Sequence, residues 1–285
     1  TTQFESEVGA HPVGAGKNVF FAANYGRYTA IREFFAEGNT DINDSRPITQ
    51  HIKRFIEGKA IHLSASSNYD TTLVHTDVNQ ERAYVYQYIW ADSEKVQAAW
   101  HVWIMEHPVV YSFFDEDRVY FVQKVGDVYY LLRMPLDVQI SDGVPYPVYL
   151  DQRFDVFGVE KAFLLPYDYL RDDPLVCVQG EGCPRPGLLA PIESIEYDAD
   201  NLGYRVTLKK TMAGGNIVVG SKFMSRYMPT MPFVKDGYNV VVGTGNLRIR
   251  SFLLSLFNSG EIIGRAKSKY GNSEPVRFNG RIVGD

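Results

Sequence analysis

An all-β fold built from antiparallel strands is predicted by three observations on this 285-residue chain. Aromatic residues reach 14%, with 19 Tyr and 17 Phe, and they cluster with Val and Ile in short runs of the kind that fit a pleated, half-buried surface. Most of the runs are separated by three to five residues rich in Gly, Asp and Asn, such as Asp115-Glu116-Asp117 and Val125-Gly126-Asp127. Links this short force neighbouring strands to pair antiparallel, because a parallel crossover needs a dozen or more residues.

In order along the first half, strands are expected at Lys17–Ala23, Tyr28–Phe35, Lys59–Ser66, Thr71–Thr76, Arg82–Trp90, Val96–Met105, Val109–Phe114, Arg118–Lys124 and Val128–Arg133. One segment reads as helix, near 45–57: Ser45 can cap it, Pro47 suits its first turn, Ile48, Ile52, Phe55 and Ile56 share a face, and Gly58 can stop it. The strand series restarts: Ala60–Ala65 and Val109–Phe114 each open a strand, hairpin, strand succession, 49 residues apart. Four strands in about 45 residues is the size of a β-propeller blade. Residues 59–105 supply four strands, and 109–150 supply three with a fourth candidate at Tyr146–Leu150. Residues 1–150 therefore read as a propeller-like meander that is only part of a closed propeller.

After Leu150 the texture changes, with prolines at 166, 174, 184, 186 and 191. Strands are expected at Gln152–Val156, Lys161–Leu165, Leu175–Gln179, Ile192–Tyr197, Tyr204–Lys209, Gly215–Lys222 and Arg248–Phe257, with long loops at 166–174 and 180–191. Residues 151–285 thus form a smaller β-sandwich or small-barrel domain.

The composition, 45% hydrophobic and 22% charged, excludes a wholly disordered chain or a coiled coil. No apolar run approaches the roughly 20 residues of a membrane helix, so no such span is expected. The opening TTQFESEV has neither an initiator Met nor a signal-like apolar region, which reads as a piece of a longer protein. Net charge is −5, yet residues 201–285 carry 13 Lys+Arg against 4 Asp+Glu while residues 1–200 carry 16 against 30. Halves of opposite sign suit contacts between neighbouring subunits or a basic surface near nucleic acid. Cys177 and Cys183 have a C-x5-C spacing that fits neither a zinc half-site nor a redox pair, and two reduced thiols are expected, with a small-loop disulfide as the alternative.

Familiar catalytic spacings are absent. No G-x-S-x-G, H-E-x-x-H, Walker lysine loop or C-x-x-C occurs, and Gly14-Ala15-Gly16 and Gly243-Thr244-Gly245 read as turns. Asp115, Glu116 and Asp117 offer paired carboxylates for glycan hydrolysis, though solvated turn residues are the expected reading; Asp168, Asp172 and Asp173 form a second acidic group that could bind a cation, with no ligand spacing to support it. His62 and His75 can face one another across a hairpin, as sheet histidines rather than metal ligands. Trp100 and Trp103, three apart on one strand, point to opposite faces. With Trp90 they are the structural packing candidates. Met224, Met228 and Met231 make an adaptable apolar stretch. No catalytic residue, cofactor or metal site is expected.

The opening Thr1-Thr2-Gln3-Phe4, the run Gly14–Ala22, Ile48–Ile52 with Phe55-Ile56, and Tyr88-Ile89-Trp90 followed by Gln97–Trp103 resemble the tail tubular protein B, or nozzle protein, family of short-tailed bacteriophages (podoviruses). The resemblance is to the C-terminal portion of that family. It is strong over residues 1 to about 135 and weaker through Asp151–Phe154, Ala162–Pro166, Gly220–Lys235 and Gly245–Gly260. It implies a non-enzymatic virion tail subunit, assembled in the host bacterial cytoplasm as a homohexameric tube. Tail adaptor and tail fibres are its implied neighbours, and DNA passes through the channel on ejection without specific binding. A tail-associated glycan hydrolase acting on the cell envelope and a carbohydrate-binding module are the rival expectations.

Overall fold

The computed structural model describes residues 6–36, 43–91, 94–137, 143–166, 175–226, 253, 255, 262–265, 267–268 and 271–278. Two compact units divide the chain, Thr1–Val138 and Gln139–Asp285. The division falls earlier than the boundary expected at 150. Val144 and Val148 pack with Val178 and Val218, so the stretch before Leu150 belongs to the second core.

The first unit is three successive antiparallel sheets. The first holds β1 (Val13–Ala15), β2 (Asn18–Tyr25), β3 (Tyr28–Ala36) and β4 (Asn43–Pro47) in chain order, and the second holds β5 (Ala60–Ser66), β6 (Thr71–Thr76), β7 (Arg82–Ala91) and β8 (Glu94–Ile104), again in order. The third has β9 (Val109–Asp115), β10 (Arg118–Val125) and β11 (Val128–Pro135). The first two have the four-strand meander of a propeller blade. The third stops at three, because residues 146–150, expected as its fourth strand, form no strand and pack in the second unit instead.

Period-2 alternation on β6 and β7 explains how the sheets stack. Val74, Tyr84, Tyr86 and Tyr88 face the first sheet, where they meet Phe20, Ala22 and Ile31. Leu73, Ala83 and Val85 face the third sheet, where they meet Val119 and Phe121. The second sheet is thus buried on both faces, which is why β7 reads as an almost unbroken apolar run.

The stretch expected as a helix near 45–57 is instead the edge strand β4 and a single 3-10 turn, Gln50–Ile52. Tertiary hydrogen bonding overrides the local pattern. β4 pairs with β3, the Ile31 N–H donates to Thr49 Oγ1 at 3.1 Å, and the Ile56 carbonyl accepts from Thr29. The apolar positions that suggested a helix still reach the core, with Ile56 buried and Ile48 and Phe55 packed beside it.

The second unit is a small sandwich. One sheet has β12 (Asp151–Val159), β14 (Leu175–Gln179) and β17 (Gly215–Ser221), ordered β12-β17-β14; the other has β13 (Ala162–Leu164), β15 (Ile192–Asp198) and β16 (Gly203–Leu208), ordered β13-β16-β15. Val159, Cys177, Ile217 and Val219 from the first meet Phe163, Val206 and Leu208 from the second. Two short hairpins follow, β18 (Ile262–Gly264) with β21 (Val276–Phe278) and β19 (Lys267–Ser268) with β20 (Gly271–Asn272). The strand expected at Arg248–Phe257 falls largely outside the described residues. There is no α-helix among the described residues, and none long and apolar enough to cross a membrane.

Candidate functional site

The chemically distinctive residues of the first unit sit where its sheets meet. Trp100 and Trp103 take opposite faces of β8. The Trp100 ring lies 5.0 Å from that of Tyr86 and its indole N–H donates to the Ile48 carbonyl at 3.3 Å, on the side of the first sheet. Trp103 packs edge-on to Phe121, 6.3 Å between centroids, on the side of the third. Trp90, at 37% exposure, stands edge-on to Tyr88 near the rim.

Between the first and second sheets, Glu33 is fully buried and its carboxylate is surrounded by donors. Asn18 Nδ2 donates to Oε1 at 2.6 Å, Lys95 Nζ to the same oxygen at 2.5 Å, and Arg46 Nε to Oε2 at 2.9 Å. Burial pushes the Lys95 ammonium below its ordinary value, opposed by the bond to Glu33. A buried carboxylate is tolerated only when paired and hydrogen-bonded like this.

Between the second and third sheets lies a cluster of His62, Ser64, His75 and Ser112. His62 and His75 are cross-strand partners on β5 and β6, stacked with centroids 6.0 Å apart. His62 Nε2 donates to the Ser112 carbonyl at 2.6 Å; Ser112 Oγ lies 2.8 Å from His75 Nε2 and 2.8 Å from Ser64 Oγ. Burial lowers His75 to about 4, helped by the neighbouring His62, so it is neutral at pH 7. A serine beside a neutral histidine is nucleophile chemistry in an open cleft. Here Ser112 is 0% and His75 1% exposed, no substrate reaches them, and the cluster ties two sheets together. A pattern search by chain spacing misses it, because its members join only through sheet stacking.

The acidic triplet Asp115-Glu116-Asp117 lies at the turn between β9 and β10. Glu116 and Asp117 are the two loop residues of the β9–β10 hairpin, with Asp117 paired to Arg118 at 3.3 Å. Asp168, Asp172 and Asp173 lie outside the described residues, as do Met228 and Met231, while Met224 is exposed. No group of three or more His, Cys, Asp or Glu able to hold a metal occurs among the described residues. Cys177 and Cys183 are both buried and unbonded to one another, and burial pushes the Cys177 thiol up to about 12. Much of the basic segment 201–285 lies outside the described residues.

The outer face of the third sheet is apolar and open. Register places Tyr111, Val122 and Leu131 in one row and Phe113, Tyr120 and Arg133 in the next. Tyr111, Phe113 and Leu131 are 50%, 37% and 62% exposed, and the Phe113 and Tyr120 rings stack at 4.9 Å.

Comparison with known proteins adds two findings. A family model described as bacteriophage nozzle protein matches residues 1–285. The chain is similar to the tail tubular protein gp12 of Escherichia phage T7, with 24% identity over 168 residues, which is 54% of this chain and 20% of that protein. The chain thus spans about a fifth of the length of this curated relative.

Proposed function

The chain belongs to the bacteriophage nozzle protein family, and from that premise we propose that it is a structural part of the virion tail, without enzymatic turnover. The observation that carries the reading is the family match along the whole chain. In this reading the intact protein assembles in the host bacterial cytoplasm into a homohexameric tube that meets the tail adaptor and fibres. DNA leaves through its channel on ejection. The stacked sheets suit a structural wall, since their polar groups are spent on one another between the sheets rather than displayed in a cleft. Transit of DNA also disfavours an unbroken basic lining, because each neutralised phosphate adds a salt-dependent holding energy. Gold-labelled antibody raised against residues 143–166 tests the proposal on intact and DNA-emptied particles. Label at the tail tip of both supports it, and label on the head or none on either particle rejects it.

The open aromatic rows of the third sheet favour one second reading, a carbohydrate-binding face, since sugars dock on exposed rings. Binding of host capsular polysaccharide that is lost in Phe113→Ala would support that reading. The hydrolase alternative rests on Asp115, Glu116 and Asp168, of which Glu116 sits on an exposed two-residue turn and Asp168 lies outside the described residues. Release of reducing ends from peptidoglycan or capsule, lost in Glu116→Gln, would replace the structural reading.

A further inference from the structure

We infer that Phe20, Tyr86, Tyr88 and Trp90, closed at one end by the Glu33 carboxylate, form an alkylammonium-binding site that the chain fills with its own Lys95. The inference rests on the geometry alone and is independent of the nozzle reading. Lys95 Nζ lies 4.5 Å from the Tyr88 ring centroid, 5.2 Å from Tyr86, 5.3 Å from Trp90 and 5.7 Å from Phe20. All four distances are within the range over which a ring quadrupole attracts a cation. The same nitrogen reaches Glu33 Oε1 at 2.5 Å and Tyr86 Oη at 3.3 Å. A set of aromatic faces with one carboxylate is the chemistry by which binding proteins hold alkylammonium ligands.

The occupant and the walls come from different elements. Phe20 and Glu33 belong to the first sheet, on β2 and β3, whereas Tyr86, Tyr88 and Trp90 are on β7 and Lys95 on β8 of the second. The ammonium therefore acts as a latch between two sheets. Arg46 takes the other Glu33 oxygen at 2.9 Å from its partly exposed position, so the carboxylate keeps a charged partner on its far side when Lys95 is removed. Trp90, 37% exposed, marks the side from which solvent and a small ligand enter.

The test vacates the site and refills it. Lys95→Ala removes three methylenes and the ammonium, which n-propylammonium restores. Melting of the 285-residue chain is followed with and without n-propylammonium chloride, with sodium chloride and 1-propanol as controls at equal concentration. Lys95→Ala is expected to melt about 5 °C below the parent. n-Propylammonium should recover at least half of that loss with a saturable dependence, accompanied by a change in Trp90 emission. Sodium and 1-propanol should not do so, and the parent and Lys95→Met, whose cages are full, should not respond. An equal shift in parent and variant, or recovery by 1-propanol or sodium, overturns the assignment. Should Lys95→Ala not fold in plain buffer, refolding yield on dilution into n-propylammonium against sodium becomes the readout, and equal yields overturn it.

Discussion

His75 shows how one buried side chain sets a pH dependence. Its neighbours are Ser112, His62, the edge of Phe121 and the Arg82 backbone, and none supplies a negative charge to offset burial. The folded value of about 4 lies below the ordinary 6.5, so between these two values the unfolded chain binds a proton that the folded chain refuses. Stability is therefore fully present above pH 6.5 and declines as pH falls toward 4. The sign is that of a group depressed by folding, and at pH 4.5 the loss is about 2 kcal/mol. Urea midpoints at pH 7.5 and 4.5 should separate more in the parent than in His75→Gln, which keeps a polar partner for Ser112 without the titration. Equal separations would remove His75 as the cause. The tryptophans make a second residue-scale case. Trp100 and Trp103 each fill a different sheet-to-sheet seam, so Ala at either should cost about 3 kcal/mol in chemical denaturation. Trp90→Ala, at the rim, should cost less. The opposed faces follow from the three-residue spacing alone, whereas the identity of each partner, Tyr86 or Phe121, depends on which sheet stacks on which side, and no local pattern holds that information.

At the scale of elements, two hairpins of the third sheet give a matched pair of predictions. The β9–β10 loop begins with Glu116 at φ 49°, and the β10–β11 loop begins with Gly126 at φ 60°. Left-handed backbone costs an L-residue about 1 kcal/mol or more and costs glycine little. Glu116→Gly should therefore raise the melting temperature, and Gly126→Ala should lower it, by similar amounts on scanning calorimetry. A second prediction concerns the sandwich. A Cβ on Gly215 would stand 2.4 Å from the Cys183 backbone nitrogen and 2.6 Å from its Sγ, and backbone cannot swing aside as a side chain can. Gly215→Ala should cost about 3 kcal/mol and expose the Cys183 thiol to alkylation at lower denaturant. These turns were readable because Gly, Asp and Asn between aromatic runs have a local physical meaning. The 45–57 segment misleads for the opposite reason: its helical spacing is genuine, but the free edge of β3 takes the backbone of 43–47 and leaves too few residues for a helix. Residues 146–150 mislead similarly, since their apolar alternation serves packing under Val178 and Val218 without any strand partner.

At the scale of the whole molecule, the stacking of the first unit predicts how the isolated chain associates. Each sheet covers one face of its neighbour, so a three-sheet stack ends in two outer faces. The outer face of the third sheet displays Tyr111, Phe113 and Leu131 to solvent. The first sheet exposes less: on its outer rows Phe21 and Ala23 are covered, Arg32 is tied to Ser45 through Nε at 3.0 Å and a second bond to the carbonyl, and Val19 and Tyr25 of β2 are the exposed apolar residues. A ring needs heterologous contacts, in which one surface meets a different complementary surface on the next copy. The aromatic rows of the third sheet suit a like face, so pairing with the same face of a second copy, a closed two-fold contact, is the expected association. Unpaired strand edges, the other route to association, likewise favour pairing of like with like. The 285-residue chain, whose match covers a fifth of its T7 relative, is therefore expected to be a monomer at low micromolar concentration and a dimer above it, with no ring. Multi-angle light scattering decides. Leu131→Glu with Phe113→Glu should hold the chain at the monomer mass of 32.3 kDa across the series. A discrete species near six times that mass would mean that both ring-forming surfaces lie within these 285 residues, and the two-fold argument would have to give way.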